Sequence, residues 1–285
     1  MKRILLQLDV DTLPATFDRI VALDAGADDV ISLGGVTPEN VEPLVHGAIF
    51  TRGPQDLKNT AIFVGGSDVQ AAEKVFHKVR QTFFGPMSVS VMLDPNGSST
   101  TAAAAVRIAA NTTTLKESDC LILGGTGPVG IRTAELLAGE GARVRIASRQ
   151  LSRAESAAAL IRSRFETAQI SPAEISDAGL AAAVDSVKVI IAAGAPGVAF
   201  LTAEEWQSIE SLQVAIDLNA VPPLGLAGIE AGDKATDHQG ISCSGALGVG
   251  GLKMKLHRLA IETLFSSNSQ VLETQAIYAL SQGMK

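Results

Sequence analysis

Seven consecutive residues, Gly124-Gly125-Thr126-Gly127-Pro128-Val129-Gly130, have the types and spacing to hold a diphosphate. They contain the G-x-G-x-x-G pattern at Gly125, Gly127 and Gly130. In such a turn one glycine makes the bend, one lets the backbone approach the pyrophosphate, and one lets the following helix pack close to the sheet. The anion then sits on the helix N-terminus, where free amides and the helix dipole favour negative charge. Pro128 suits the first helical turn, where its missing N–H costs nothing, and Thr126 and Val129 complete the loop. A glycine-rich turn can also be purely structural. Here a strand precedes it, a helix follows, and a second strand comes next, so the whole reads as one βαβ nucleotide unit. The end of that second strand selects the dinucleotide. NAD-selective sites carry Asp or Glu there for the ribose 2′-hydroxyl. This chain has Ser148-Arg149 with Arg153 one turn on, and a hydroxyl beside arginines suits the 2′-phosphate of NADP. A charge-assisted bond contributes about 1.5–3 kcal/mol. That sets a preference for NADP and leaves NAD as an acceptable second cofactor.

Other polar residues fall where strands end, the edge at which open α/β sheets bind ligands. Asp9, Asp11 and Thr12 follow the first strand, Asp94 and Asn96 another, and Asp217 and Asn219 a third. For each, an Asx turn or a helix cap is the structural alternative. Ala193-Gly194 end a further strand, and small residues there let backbone pass under a nicotinamide ribose. Lys253 and Lys255 lie two apart on a helix and so do not share a face; Lys253, nearer the helix start, is the better candidate for a site. The four histidines, His46, His77, His238 and His257, show no triad or metal spacing and read as structural or surface residues. Cys120 and Cys243 form no metal motif and no disulfide framework. They read as reduced core residues, and no metal is expected.

The elements that must position these groups follow from periodicity. Of 285 residues 46% are hydrophobic and 19% charged, the profile of a packed globular chain, and the net charge of −7 disfavours nucleic acid as a partner. Apolar runs at 4–8, 30–33, 60–64 and 89–93 predict strands. Val69, Ala72, Phe76, Val79 and Phe83 predict a helix capped by Ser67-Asp68. An alanine-rich helix opens at Ser98. After a polar connector at 111–118 the pattern restarts: strands at 120–123, 143–147, 187–192 and 214–218, and helices at 128–139 and 152–165, the last with Leu160, Ile161 and Phe165 inward. Leu252, Leu256, Ala260 and Leu264 predict a helix from Gly250, and a last helix covers 272–280. The fold class is α/β: an N-terminal α/β domain and a Rossmann-type, doubly wound parallel-sheet domain with a cleft between them. The expected domains are 1–112, joined by the C-terminal helix 265–285, and 113–264. No apolar run approaches a membrane span, and a cytoplasmic protein is expected.

The longer motifs carry a resemblance. Thr60-Ala61-Ile62-Phe63-Val64-Gly65-Gly66, Met92 to Ser98, Gly124 to Gly130, Asp217 to Gly225 and Gly245 to Lys253 resemble those of the bacterial NAD(P)-dependent methylenetetrahydromethanopterin dehydrogenases. The likeness runs from the first strand to the last helix. It implies an oxidoreductase that moves a hydride from the methylene bridge of a reduced, tetrahydromethanopterin-type pterin to NAD(P). The product is the methenyl form, in one-carbon metabolism (formaldehyde oxidation), and the enzyme is a homo-oligomer, a trimer or hexamer. On this resemblance Asp94 favours the developing cation, Asn96, Asp9, Asp11, Thr12 and Asn219 contact the pterin, and Lys253 holds a pterin carbonyl or tail carboxylate. Asp217 and the Pro222-Pro223 loop border the nicotinamide. Pro95 departs from the small polar residue usual in the family and puts pterin selectivity in question. A methylenetetrahydrofolate dehydrogenase, or another NADP-linked dehydrogenase, is the first alternative; a non-enzymatic NADP-binding sensor is the second.

Overall fold

A computed structural model describes residues 1–284, with 177–179 described by their backbone alone. The chain forms two compact units, one of Met1–Thr100 with Met254–Leu280, the other of Thr101–Lys253 with the residues from Ser281 on.

The first unit opens with β1 (Ile4–Asp9), α1 (Thr16–Asp24), β2 (Asp29–Leu33), α2 (Val41–Phe50), β3 (Thr60–Gly65), α3 (Val69–Thr82) and β4 (Ser90–Leu93), and α4 (Ser98–Thr112) starts in it and continues into the second. β3 is buried at all six positions, as a strand covered on both faces must be, which is why it reads as an unbroken apolar run. The cap expected for α3 is present: the Asp68 side chain accepts from the Ala71 amide at 3.0 Å. α3 buries Ala72, Val75, Phe76, Val79 and Thr82 and ends at Thr82, leaving Phe83 as its C-cap. Ala102 to Ala105 on α4 have no exposed surface, so the alanine run serves close packing.

The second unit runs through β5 (Asp119–Leu123), α5 (Pro128–Gly139), β6 (Arg143–Ser148), α6 (Leu151–Arg164), β7 (Gln169–Glu174), α7 (Asp177–Ala183), β8 (Val189–Ala192), α8 (Ala203–Gln207), β9 (Val214–Asp217), β10 (Thr236–His238), β11 (Ile241–Ser244) and α9 (Ala246–Leu264). Its seven strands lie in the order β10-β11-β9-β8-β5-β6-β7. All neighbours are parallel except the edge pair β10–β11. With the antiparallel edge strand β10 set aside, the strands from β7 to β11 stand third, second, first, fourth, fifth, sixth in chain order, the doubly wound order of dinucleotide folds. The order reverses between β5 and β8. Cys120 and Cys243 are free and buried, and burial pushes both thiols up to about 12, so neither is a nucleophile at neutral pH.

The chain then returns to the first unit with β12 (Val271–Leu272) and α10 (Thr274–Leu280). β12 pairs in parallel with β4 and completes the order β12-β4-β3-β1-β2. The two unit boundaries fall inside α4 and α9, whereas the sequence reading set its joints at the ends of those two helices.

Two local expectations are corrected. Leu160 is 41% exposed and does not face inward; α6 instead buries Ala154, Ala157, Ala158 and Ile161, so a small-residue face meets the sheet. β7 has no counterpart in the sequence reading because Pro172 interrupts it. It is an edge strand, where a residue without an N–H is tolerated. Among the described residues no helix is long and apolar enough to cross a membrane, and no group of three or more His, Cys, Asp or Glu could hold a metal ion.

At the amino ends of β5 and β6, Asp119 accepts from Arg143 at 2.5 Å and from Arg145 at 3.1 Å. The hydrogen bond from Arg143 holds its carboxyl below the ordinary carboxylate value. A depressed acid stabilises the fold above its unfolded pKa, and that contribution disappears as pH falls through the folded value. Asp119→Asn is therefore expected to lower the melting temperature at pH 7, and the gap between wild type and variant should close as pH falls below the ordinary carboxylate value and through the lower folded one. Thermal melts across pH check this; a gap that persists in acid removes the ion pair as its cause.

Candidate active site

The glycine turn joins β5 to α5. Gly124 has φ +67, a backbone conformation that favours glycine. The Gly125 amide donates to the Ala147 carbonyl at 3.0 Å, tying the turn to β6. The three fingerprint glycines separate by what a side chain would meet. A Cβ at Gly125 would lie 2.7 Å from Ile146 Cγ2, and one at Gly130 would lie 2.6 Å from Gly125 Cα. Packing of the protein itself requires both. A Cβ at Gly127 would meet no atom nearer than the Gly124 carbonyl oxygen at 3.9 Å, so the protein has no packing need for a glycine there. The room at Gly127 lies at the cap of α5, where the first amides of a helix lack intrahelical partners. Free amides beside that opening favour an anion. Thr126, Gly127 and Val129 are half-exposed and Pro128 exposed, forming its lip.

The turns after β5 and β8 touch where the strand order reverses. A Cβ on Gly124 would lie 2.6 Å from Gly194 Cα, and one on Gly194 would lie 2.4 Å from the Phe200 ring. Ala193 donates to the Leu123 carbonyl at 2.8 Å. Sequence reasoning did not single out Phe200, because nothing local marks a ring packed against two distant glycines. At the end of β6, Ser148 is buried and its Oγ accepts from the Gln150 amide at 3.3 Å. Arg149 and Arg153 are exposed. Among the described residues no carboxylate pairs with either, so both guanidinium groups are available to an anion.

Asp217, at the end of β9, is 1% exposed. Its carboxylate accepts from the Asn219 amide at 2.9 Å and the Leu226 amide at 2.8 Å. Burial raises its pKa, against the backbone hydrogen bonds that lower it. Asn219 accepts from the Val221 amide at 2.9 Å and donates to the Pro223 carbonyl at 3.2 Å. Both side chains spend their polar atoms on shaping the 219–226 loop. Lys253 on α9 is half-buried while Lys255 is exposed, so the two do occupy different faces.

In the first unit the ends of β1, β3 and β4 are neighbours. Asp9 has no exposed surface and accepts from the Asp11 amide at 2.9 Å and the Ala15 amide at 3.0 Å. Asp11 accepts from the Ser67 amide at 2.9 Å and the Ser67 hydroxyl at 2.8 Å, lacing the loop after β1 to the loop after β3. Thr12 is exposed. Asp94 is fully buried; it accepts from the Ser99 amide at 2.7 Å, the Thr100 amide at 3.2 Å and the Thr100 hydroxyl at 2.6 Å. Its carboxylate thus caps α4. Asn96, two residues on, is exposed and has φ 53, a left-handed conformation that asparagine tolerates better than most residues. His257, read from sequence as structural or surface, has no exposed surface; its ring stacks at 5.9 Å on Phe63 and lies 6.2 Å from Phe17.

Strand order, glycine turn and the touching Gly124 and Gly194 define an α/β protein built like the nucleotide-dependent dehydrogenases. A solved neighbour of that architecture is quinate dehydrogenase from Corynebacterium glutamicum in complex with NAD, with a TM-score of 0.52 over 98% of each chain and 13% identity, a likeness of fold alone. Residues 16–96 match the family model described as methylene-tetrahydromethanopterin dehydrogenase, N-terminal. Two proteins of Methylorubrum extorquens are similar in sequence. The "bifunctional protein MdtA" is 45% identical over 99% of both chains, and an NAD(P)-dependent methylenetetrahydromethanopterin dehydrogenase is 36% identical over 83% of both. This chain belongs to the methylenetetrahydromethanopterin dehydrogenase family.

Proposed function

We propose that this chain is an NAD(P)-dependent dehydrogenase that oxidises the methylene bridge of methylenetetrahydromethanopterin to the methenyl form in one-carbon metabolism. Kinship with an NAD(P)-dependent methylenetetrahydromethanopterin dehydrogenase over 83% of the chain, together with the opening at Gly127, supports the reading. The nicotinamide, when bound, accepts a hydride at C4. The methylene carbon loses that hydride and becomes a cation shared by two pterin nitrogens. No O–H or N–H proton leaves in the same step, so no general base is required. The protein's task is positioning and electrostatics.

In this reading Gly125, Thr126, Gly127, Pro128, Val129 and Gly130 cradle the pyrophosphate. Ser148, Arg149 and Arg153 hold the 2′-phosphate of NADP, with NAD also accepted. Ala193 and Gly194 pass beneath the nicotinamide ribose, and Asp217 shapes the loop beside it. The first unit is the pterin domain. There Asn96 and Thr12 present polar atoms to the pterin, and Asp9 and Asp11 hold the loop that carries Thr12. Asp94 serves by fixing the loop that carries Asn96, and its charge favours the cation. Asn219 and Lys253 are further pterin contacts in this reading. The working enzyme is a cytoplasmic homo-oligomer, a trimer or hexamer.

The test is spectrophotometric. Methylenetetrahydromethanopterin with NADP or NAD should give nucleotide reduction and methenyl formation together; no turnover with either nucleotide would overturn the assignment. Methylenetetrahydrofolate in the same assay reports how far Pro95 narrows or widens pterin choice. For Lys253→Ala, loss of one charged hydrogen bond of about 1.5–3 kcal/mol predicts a ten- to hundredfold fall in kcat/KM for the pterin. Dinucleotide affinity should stay within about twofold of wild type. Unchanged kinetics would return Lys253 to a purely structural role.

A further inference from the structure

We propose that Glu174 sets the balance between NADP and NAD by opposing, at close range, the 2′-phosphate that Ser148 and Arg149 attract. The inference rests on the placement of that phosphate at the end of β6. β6 and β7 are parallel neighbours, and their register sets Ser148 directly beside Glu174. The Ile175 amide donates to the Ser148 carbonyl at 2.9 Å, so the pairing holds to the last residue. Neighbouring strands lie about 4.8 Å apart and paired residues project to the same face. Glu174 is exposed, and among the described residues no Lys or Arg pairs with it. β7 is the edge of the sheet, so no further strand screens this carboxylate.

The consequence is electrostatic. A bound 2′-phosphate carries close to two negative charges, and two unit charges about 7 Å apart at a surface repel by a fraction of what they would in a dry interior. The penalty corresponds to about fivefold in affinity, and it falls only on NADP, since NAD has a neutral hydroxyl at that position. Ser148, Arg149 and Arg153 pull toward NADP; Glu174 weakens that pull and keeps NAD usable. The sequence alone hides this, because the Pro172 interruption conceals β7 and its end.

Calorimetry on the full-length protein tests it without relying on turnover. The probes are NADP and NAD, with 2′,5′-ADP and 5′-AMP as the adenosine halves with and without the 2′-phosphate. Glu174→Gln should tighten NADP and 2′,5′-ADP by about fivefold and leave NAD and 5′-AMP unchanged, and Glu174→Lys should tighten the phosphorylated pair further. The gain should shrink in about 0.5 M salt, where the Debye length falls to a few ångströms. An equal change for both pairs would mean that Glu174 touches the adenine or ribose and overturns the proposal, as would no change in any ligand. Arg149→Ala separates the two readings. If it weakens NADP while Glu174→Gln is silent, only the role of Glu174 fails; if it spares NADP, the 2′-site itself is misplaced and this inference falls with it.

Discussion

Gly127→Ala is expected to fold with wild-type stability and to bind NADP and NAD more than tenfold more weakly. The added Cβ has 3.9 Å to its nearest neighbour, and the residue's φ of −80 suits any L-amino acid. Removing a glycine restricts the unfolded chain, a gain of about 0.4–1 kcal/mol, and this offsets the poorer N-cap that alanine makes for α5. No packing contact resists the substitution; the diphosphate does, because the methyl group occupies the space it needs against the turn. Gly130→Ala makes the contrast. Its Cβ would lie 2.6 Å from Gly125 Cα and 2.8 Å from the Gly125 carbonyl carbon and oxygen. Backbone cannot step aside as a side-chain tip can, so α5 must shift off the sheet, at a cost of about 1–3 kcal/mol. Thermal melts with and without NADP, paired with calorimetry, distinguish a binding loss from a folding loss. Normal affinity in Gly127→Ala would mean that the dinucleotide does not cross the turn there.

Arg149→Asp is expected to weaken NADP ten- to a hundredfold while NAD stays within about threefold of wild type. Arg149 is exposed and has no carboxylate partner among the described residues, so the fold loses nothing with it. The charge-assisted bond to the 2′-phosphate, about 1.5–3 kcal/mol, goes, and a carboxylate arrives that repels the phosphate but can accept from the ribose 2′-hydroxyl of NAD. The ratio of kcat/KM for the two nucleotides, checked by direct binding, reads the switch. An equal loss for both would place Arg149 away from the 2′ position.

How much of this was legible before folding depends on the distance over which each feature is encoded. The βαβ unit from β5 to β6 was readable almost to the residue, because the strand, the glycine turn and the helix start follow one another directly between residues 119 and 130. The cap at Asp68 was readable for the same reason. The inward face of α6 was not. Leu160 has the type of a buried residue, yet the sheet meets the alanine side of the helix, and only the partner surface could say so. The start of α9 at Ala246, four residues before Gly250, was masked by its glycines. Gly248 permits contact with the Asp233 carbonyl, which a Cβ would meet at 1.9 Å.

The candidate site divides in the same way. Composition and local pattern alone determined the α/β class, the dinucleotide turn, the arginines after β6 and the strand-end acids as residues of interest. Tertiary structure decided what those acids do. Asp9, Asp11, Asp94 and Asp217 each meet backbone amides of their own or a neighbouring loop, so they are fasteners first, and Asn96, Thr12 and the two arginines are left outward. It also decided which strand lies beside which, and so brought Gly124 against Gly194 and Glu174 beside Ser148. Side-chain type and short spacing are properties of the chain. Register between distant strands, and whether a polar atom is already spent, depend on contacts that exist only once the sheet has closed around them.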